Sequence, residues 1–342
     1  MQNRRDCDMG RGSFDRKAGA QRMGSEGNPN RAATIRRAAA SGLRKGLIGY
    51  VWMLKILVPV SLATALLDYS GWIGRLDFLI EPAMGLIGLP PAAALPILIG
   101  ALAGVYACIA AMSVLPFTHD QMTLITIFVL IAHNLPQEGL IQARSGIGFV
   151  KTTLVRLAAA FLSCMAAGWF LGPGEGMELA APAAGLPAAA SLGQFARVWL
   201  ADTFRLCLKI LPIILAVMVL IELMKAFDLV DGCVRLLGPV LKLMGLDRQT
   251  GVLWLTGALF GLAYGGAVIV EQARELKLDP REIEKLQLSI GINHSMIEDP
   301  LLFMSLGLGA FWMWVPRLAA AVAEVYAVSL WFHLRGRWAA VK

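Results

Sequence analysis

Residues 131–141 read IAHNLPQEGLI, and residues 292–302, at the corresponding place in the second half of the chain, read INHSMIEDPLL. In each stretch an apolar run opens into imidazole, amide, hydroxyl and carboxylate groups, then closes into apolar sequence again. Ionisable groups are costly at bilayer depth, where they face a cavity or a partner and mark functional sites. These two stretches are therefore the candidate site.

Their surroundings have the composition of a polytopic membrane protein. Hydrophobic residues make up 57% of the chain and charged residues 16%, with a mean hydropathy of +0.63, whereas about a quarter of a soluble domain is charged. Cys7, Cys108, Cys164, Cys207 and Cys233 have no paired spacing, so neither a disulfide framework nor a zinc ribbon is signalled. The net charge of +7 has its excess at the ends of the chain. It reports topology and not nucleic-acid binding.

The expected fold is all-α and polytopic: an inverted repeat in which each half has about three spanning helices and one re-entrant helical hairpin. Residues 1–45, rich in Arg, Gly, Ser and Asn, read as a disordered basic cytoplasmic tail. The first repeat is 46–172, with spans at 47–67, 96–115 and 149–171. An Ala-, Gly- and Pro-rich external linker follows at 173–195. The second repeat is 196–335, with spans at 203–223, 252–270 and 311–331, and 336–342 is the cytoplasmic C-terminus. The interrupted segments 122–148 and 278–306 are read as the hairpins, with the polar stretches at their tips. Pro136 should stop the preceding helix near His133. Thr118 with Gln121 gives one capped start, and Asp279, Pro280 and Glu282 give the other.

Matches between the halves extend beyond this pattern. LKIL recurs at 54–57 and 208–211, IGLP at 87–90 answers MGLD at 244–247, and GALAG at 100–104 answers GALFG at 257–261. Thr118 and Asp279 precede His133 and His294 by the same interval. Arg36, Arg37, Arg44 and Lys45 assign the N-terminus to the cytoplasm, and Arg335, Arg337 and Lys342 the C-terminus. Each half then crosses an odd number of times, so the copies have opposite orientation. Arg144, Lys151 and Arg156 agree with a return to the cytoplasm, while the mixed stretch around Arg274, Lys277, Arg281 and Lys285 falls outside in this scheme. Inverted repeats with broken helices place a binding site near the midplane.

GALAG, GALFG and the stretches HNLPQEG and HSMIEDP resemble the gate-domain, or nucleoside-recognition, family, whose domain also occurs in concentrative nucleoside transporters and in bacterial ferrous-iron permease B. The resemblance covers residues 47–332. It implies paired re-entrant hairpins, location in a bacterial cytoplasmic membrane and a role in moving or sensing a small solute. The chain lacks the phosphate loop G-x-x-x-x-G-K-[ST] of a GTPase, so energy would come from an ion gradient or a partner.

Three readings of the polar stretches stand side by side. His133, Asn134, Gln137 and Glu138, with Asn293, His294, Ser295, Glu298 and Asp299, could bind a nucleoside-like solute, a carboxylate taking a coupling proton or sodium ion. Alternatively His133, Glu138, His294 and Glu298 could ligate a divalent metal as substrate, since imidazole and carboxylate suit zinc, iron or manganese. In the third reading the groups pair only with each other, in a non-transporting membrane assembly or sensor. No enzyme is expected, because H-E-x-x-H is absent, and no resident cofactor. The expected partners are the lipid bilayer and a small-molecule substrate, with a second copy or a membrane subunit as further options.

Overall fold

The computed structural model describes residues 31–71, 77–144, 146–172, 191–227, 229, 232, 235–246, 250–259, 261 and 279–340. Apart from turns and short connections, these residues are helical, and five helices are long and apolar enough to cross a bilayer. Two of the five, α1 (Arg31–Tyr69) and α8 (Leu192–Ala226), pack against each other along their length. Gly42 lies against the backbone of Val219, Tyr50 donates to the Cys207 carbonyl at 3.1 Å, Trp199 donates to Ser61 at 3.1 Å, and the rings of Tyr69 and Phe195 stack at 4.9 Å. As numbers rise along α1 they fall along α8, so the first helices of the two halves are antiparallel. A Cβ on Gly42 would come within 2.5 Å of the Val219 Cα. Small residues at such a contact let helix backbones approach closely.

Arg31 to Lys45, expected within a disordered tail, instead form the first turns of α1. The segment is rich in Ala and Arg, both good helix formers. It also gains tertiary anchors, because Lys45 Nζ and Ser41 Oγ each lie 2.8 Å from a Glu222 carboxylate oxygen. Residues 1–30 lie outside the described residues, as do 173–190 of the expected linker, and α8 already begins at Leu192 behind a capping box of Ser191 and Gln194.

The expected span at 96–115 is two helices folded back on one another. α3 (Ala94–Ala103) and α4 (Val105–Met112) meet at Gly104, whose φ of +93° favours glycine. A Cβ on Gly100 would sit 3.0 Å from that of Cys108, eight residues on, a separation that a continuous helix cannot give. In the second half Thr250–Leu259 (α10) leads to Gly261, with φ of +78°, and the rest of the expected 252–270 span lies outside the described residues.

The segment expected as the first hairpin runs through as a broken helix. α5 (His119–Ile131) starts at the capping box of Thr118 and Gln121, and α6 (Leu135–Arg144) resumes after a three-residue break; together they make a 26-residue apolar span. In the second half α11 (Pro280–Ile292), capped by Asp279, and α12 (Glu298–Met304) follow the same course. Two outer helices, α7 (Phe149–Leu171) and α13 (Ala310–Ala340), pack against these broken helices. The remaining elements, α2 (Asp77–Gly85) and α9 (Gly238–Leu243), close with the same backbone pattern. Leu89 N–H reaches the Met84 carbonyl at 3.0 Å and Leu246 N–H reaches that of Leu241 at 2.9 Å, around Gly88 and Gly245 at positive φ. This is the Schellman C-cap, at corresponding places in the two halves.

Contacts at the helix ends correct one further expectation. Lys151, at the start of α7, pairs with Glu284 at the start of α11, and Arg281 lies 5.4 Å over the Phe332 ring near the end of α13. Arg281 and Lys285 are therefore on the same side of the molecule as Lys151 and the end of α13, not on the opposite one.

Candidate functional site

Each broken helix ends in the same unusual backbone. Asn134 has φ of +46° and Ser295, 161 residues later, φ of +53°; they are the positive-φ non-glycine residues among those described. Side chains other than glycine rarely adopt this region, and such strain gathers at functional sites. The fold-back at Gly104 meets the first break, where Asn134 N–H donates to the Gly100 carbonyl at 3.1 Å, and Met296 N–H makes the related bond to Ala258 at 2.7 Å.

The breaks free the last turns of α5 and α11 to receive side chains in place of backbone donors. His133 Nδ1 lies 2.9 Å from the Val129 carbonyl, and His294 Nδ1 lies 3.2 Å and 3.0 Å from those of Ile290 and Gly291. A carbonyl only accepts, so both Nδ1 atoms carry the hydrogen, and in each neutral ring the lone pair is on Nε2. These two Nε2 atoms face one another at 3.0 Å, across the boundary between the halves. Glu138 Oε1 stands 3.0 Å from the Nε2 of His294 and 3.4 Å from that of His133, and Asp299 Oδ2 is 3.4 Å from His133 Nε2. Three acceptor atoms thus converge, with Asp299 Oδ2 beside His133, and no donor hydrogen lies among them when the rings are neutral and the carboxylates ionised.

Two arginines support the cluster from α7 and α13. Arg156 donates through Nε to the Ile131 carbonyl at 2.9 Å and through Nη2 to that of His133 at 2.8 Å, while its Nη1 pairs with Glu138 Oε2 at 2.7 Å. Arg317, 161 residues later, donates to the Ile292 and His294 carbonyls in the same way. Both guanidinium groups are wholly buried. Each arginine satisfies carbonyls left over by a helix break, and Arg156 also leaves Glu138 Oε1 free to face the imidazoles.

Of the nine residues singled out in the sequence, His133, His294, Glu138 and Asp299 come together. Glu298, expected as the fourth metal ligand, accepts instead from the Tyr106 hydroxyl of α4, and Asp299 takes its place beside His133. Asn134 and Gln137 bond each other at 3.1 Å outside the buried cluster. Ser295 is half-buried under Gly261, and Asn293 is fully buried with neither amide atom partnered among the described residues. Arg156 was expected near the cytoplasmic surface; it lies in the core because its guanidinium has three partners there. Arg317 and Tyr106 drew no expectation. A base at matched positions in two apolar spans was the available signal for the arginines. The donor set fits a cation: His133, His294 and Glu138 each offer a ligand atom within 4.8 Å of the others, and all three are buried.

The profile of the Gate family, described as nucleoside recognition, matches residues 50–147 and 207–325. The two matched segments contain His133 with Glu138 and His294 with Asp299, respectively. The chain is 28% identical over 291 residues to a protein of Bacillus subtilis (strain 168) called uncharacterized membrane protein YvoD, covering 84% of this chain and 92% of the relative. No solved structure matches it. Two matched segments, each carrying one half of the buried cluster and together most of the chain, establish this multi-pass membrane protein as a member of the Gate, or nucleoside-recognition, family.

Proposed function

We propose that this protein is a transporter for a divalent transition-metal ion, bound where the two broken helices meet. The observation that carries the reading is the pair of imidazole lone pairs facing each other at 3.0 Å with a carboxylate oxygen alongside. That arrangement is repulsive unless a cation or a proton lies between the acceptors. Two imidazole nitrogens with one or two carboxylate oxygens suit zinc, iron or manganese; calcium and magnesium take oxygen-only sets. The outer contacts fit as well, since metal-bound histidines donate their other N–H to a carbonyl or carboxylate.

The architecture supports transport through an inverted repeat. α1 and α8 are antiparallel, and the fold-back at Gly104 with its counterpart at Gly261 would serve as the re-entrant hairpins, their turns touching the helix breaks. Each half then crosses three times: α1, α5–α6 and α7 in the first, α8, α11–α12 and α13 in the second. With both termini cytoplasmic, the starts of α7 and α11 and the end of α13 are cytoplasmic too, and Lys151, Arg281 and Lys285 all obey the positive-inside rule. In a bacterial cell this is the cytoplasmic membrane. A second reading, a polar solute coupled to a cation, is favoured by the buried amide of Asn293, next in sequence to His294 and without a hydrogen-bond partner among the described residues. His133, His294 and Glu138, with ligand atoms within 3.4 Å of one another, and Asp299 beside His133 accommodate an ion more readily than a nucleoside.

The test is flux of Mn²⁺ and Zn²⁺ into proteoliposomes read by an enclosed indicator, with nucleoside uptake measured in parallel. Ion entry reduced at least about tenfold by His294→Ala, a loss of the size expected when a metal-site group is removed, is the predicted result. Nucleoside uptake without metal entry would reverse the assignment.

A further inference from the structure

Outside this site, one buried acidic side chain has neither a hydrogen bond nor a close ion pair among the described residues. Glu324 of α13 is 7% exposed, and neither carboxylate oxygen has a hydrogen-bond partner among the described residues. It lines a groove of about 880 Å³ between α7 and α13, whose lining includes the small residues Ala159, Ala166, Ala320 and Ala323 and the rings of Phe170 and Phe311. The charged groups facing it are Lys151 of α7 and Glu284 and Lys285 of α11. Lys151 is held by Glu284. Lipid tails offer a buried carboxylate no donor, and intramembrane acids pair with a base.

We propose that this groove docks a transmembrane helix of a partner protein that carries one lysine or arginine at the depth of Glu324. The groove's lining runs from Lys151 to Phe170 on α7 and from Phe311 to Trp331 on α13. That is about 30 Å at 1.5 Å per residue, the length of a bilayer-spanning helix. Its alanines permit the close backbone approach by which membrane helices associate. A lipid ammonium is too shallow, since Glu324 lies seven residues, or about 10 Å, inward from Trp331. A second copy is the wrong complement: a two-fold dimer with its axis along the membrane normal sets the same surface at the same depth, Glu324 against Glu324, and contributes no free base.

The experiment uses the full chain in lipid nanodiscs, labelled with a donor fluorophore, and two synthetic helices of about 20 Leu and Ala residues labelled with an acceptor. One carries a central lysine and the other leucine. Energy transfer should show the lysine helix binding about tenfold more tightly. Glu324→Gln should erase that preference, and Ala323→Phe should weaken both helices by filling the groove. Equal binding of the two helices, a preference that survives Glu324→Gln, or occupation of the groove by a second copy would overturn the proposal.

Discussion

At the residue scale, two neighbouring acids of the second half do different work, and the difference separates them experimentally. Asp299 faces His133, whereas Glu298 is taken up by Tyr106. Across the boundary Glu138 both faces the imidazoles and neutralises Arg156. Glu138→Gln should therefore abolish metal binding and lower stability by about 3–5 kcal/mol, the cost of leaving a buried charge unpaired. Glu298→Gln should leave metal binding in place, because Glu298 bonds Tyr106 and none of the ligand atoms. Titration calorimetry and thermal unfolding of the two variants give both answers. The histidines were legible in the sequence as ionisable groups opening in two matched apolar runs. The arginines were not, since a base inside an apolar run reads as an interface residue until its carbonyl partners are placed.

At the element scale, the sequence located the helix breaks but misassigned the fold-back. Pro136 and the polar run correctly stop α5 near His133. The stop reads equally as the tip of a hairpin or as an interruption in a through-going span. What decides is Gly104: a glycine in GALAG suggests helix packing, and only its positive φ turns the chain. Gly100 is closely packed, since a Cβ there would lie 2.9 Å from Val129 Cγ1. The α1–α8 crossing carries a sharper prediction. Gly42→Leu would drive a side chain into the Val219 backbone, and the helices cannot separate without losing the bonds from Lys45 and Ser41 to Glu222. The loss should be about 1–3 kcal/mol, measured as a lower melting temperature in detergent. Gly49→Leu, where nothing lies within 4 Å of the added Cβ, should leave it unchanged.

For the whole molecule, the assignment of sides follows from which helices run through. Treating 278–306 as a hairpin forced Arg281 and Lys285 outward against their charge; treating α11–α12 as a span returns them to the side of Lys151. Under the proposed topology the start of α5 and the start of α11 face opposite sides. A membrane-impermeant maleimide applied to right-side-out vesicles should label His119→Cys and spare Arg281→Cys, with the reverse pattern in inverted vesicles. Labelling of both from one side would remove the opposite orientation of the two copies. It would leave the His133–His294 contact without a symmetric origin.

A cation shared between the two halves is central to the proposed function, and a cobalt titration of the purified protein tests for it directly. One Co²⁺ per chain should bind, with visible absorption of the strength of a four-coordinate nitrogen and oxygen site. His133→Ala and His294→Ala should each abolish that signal. Absence of stoichiometric binding, or binding that survives loss of either imidazole, would contradict it.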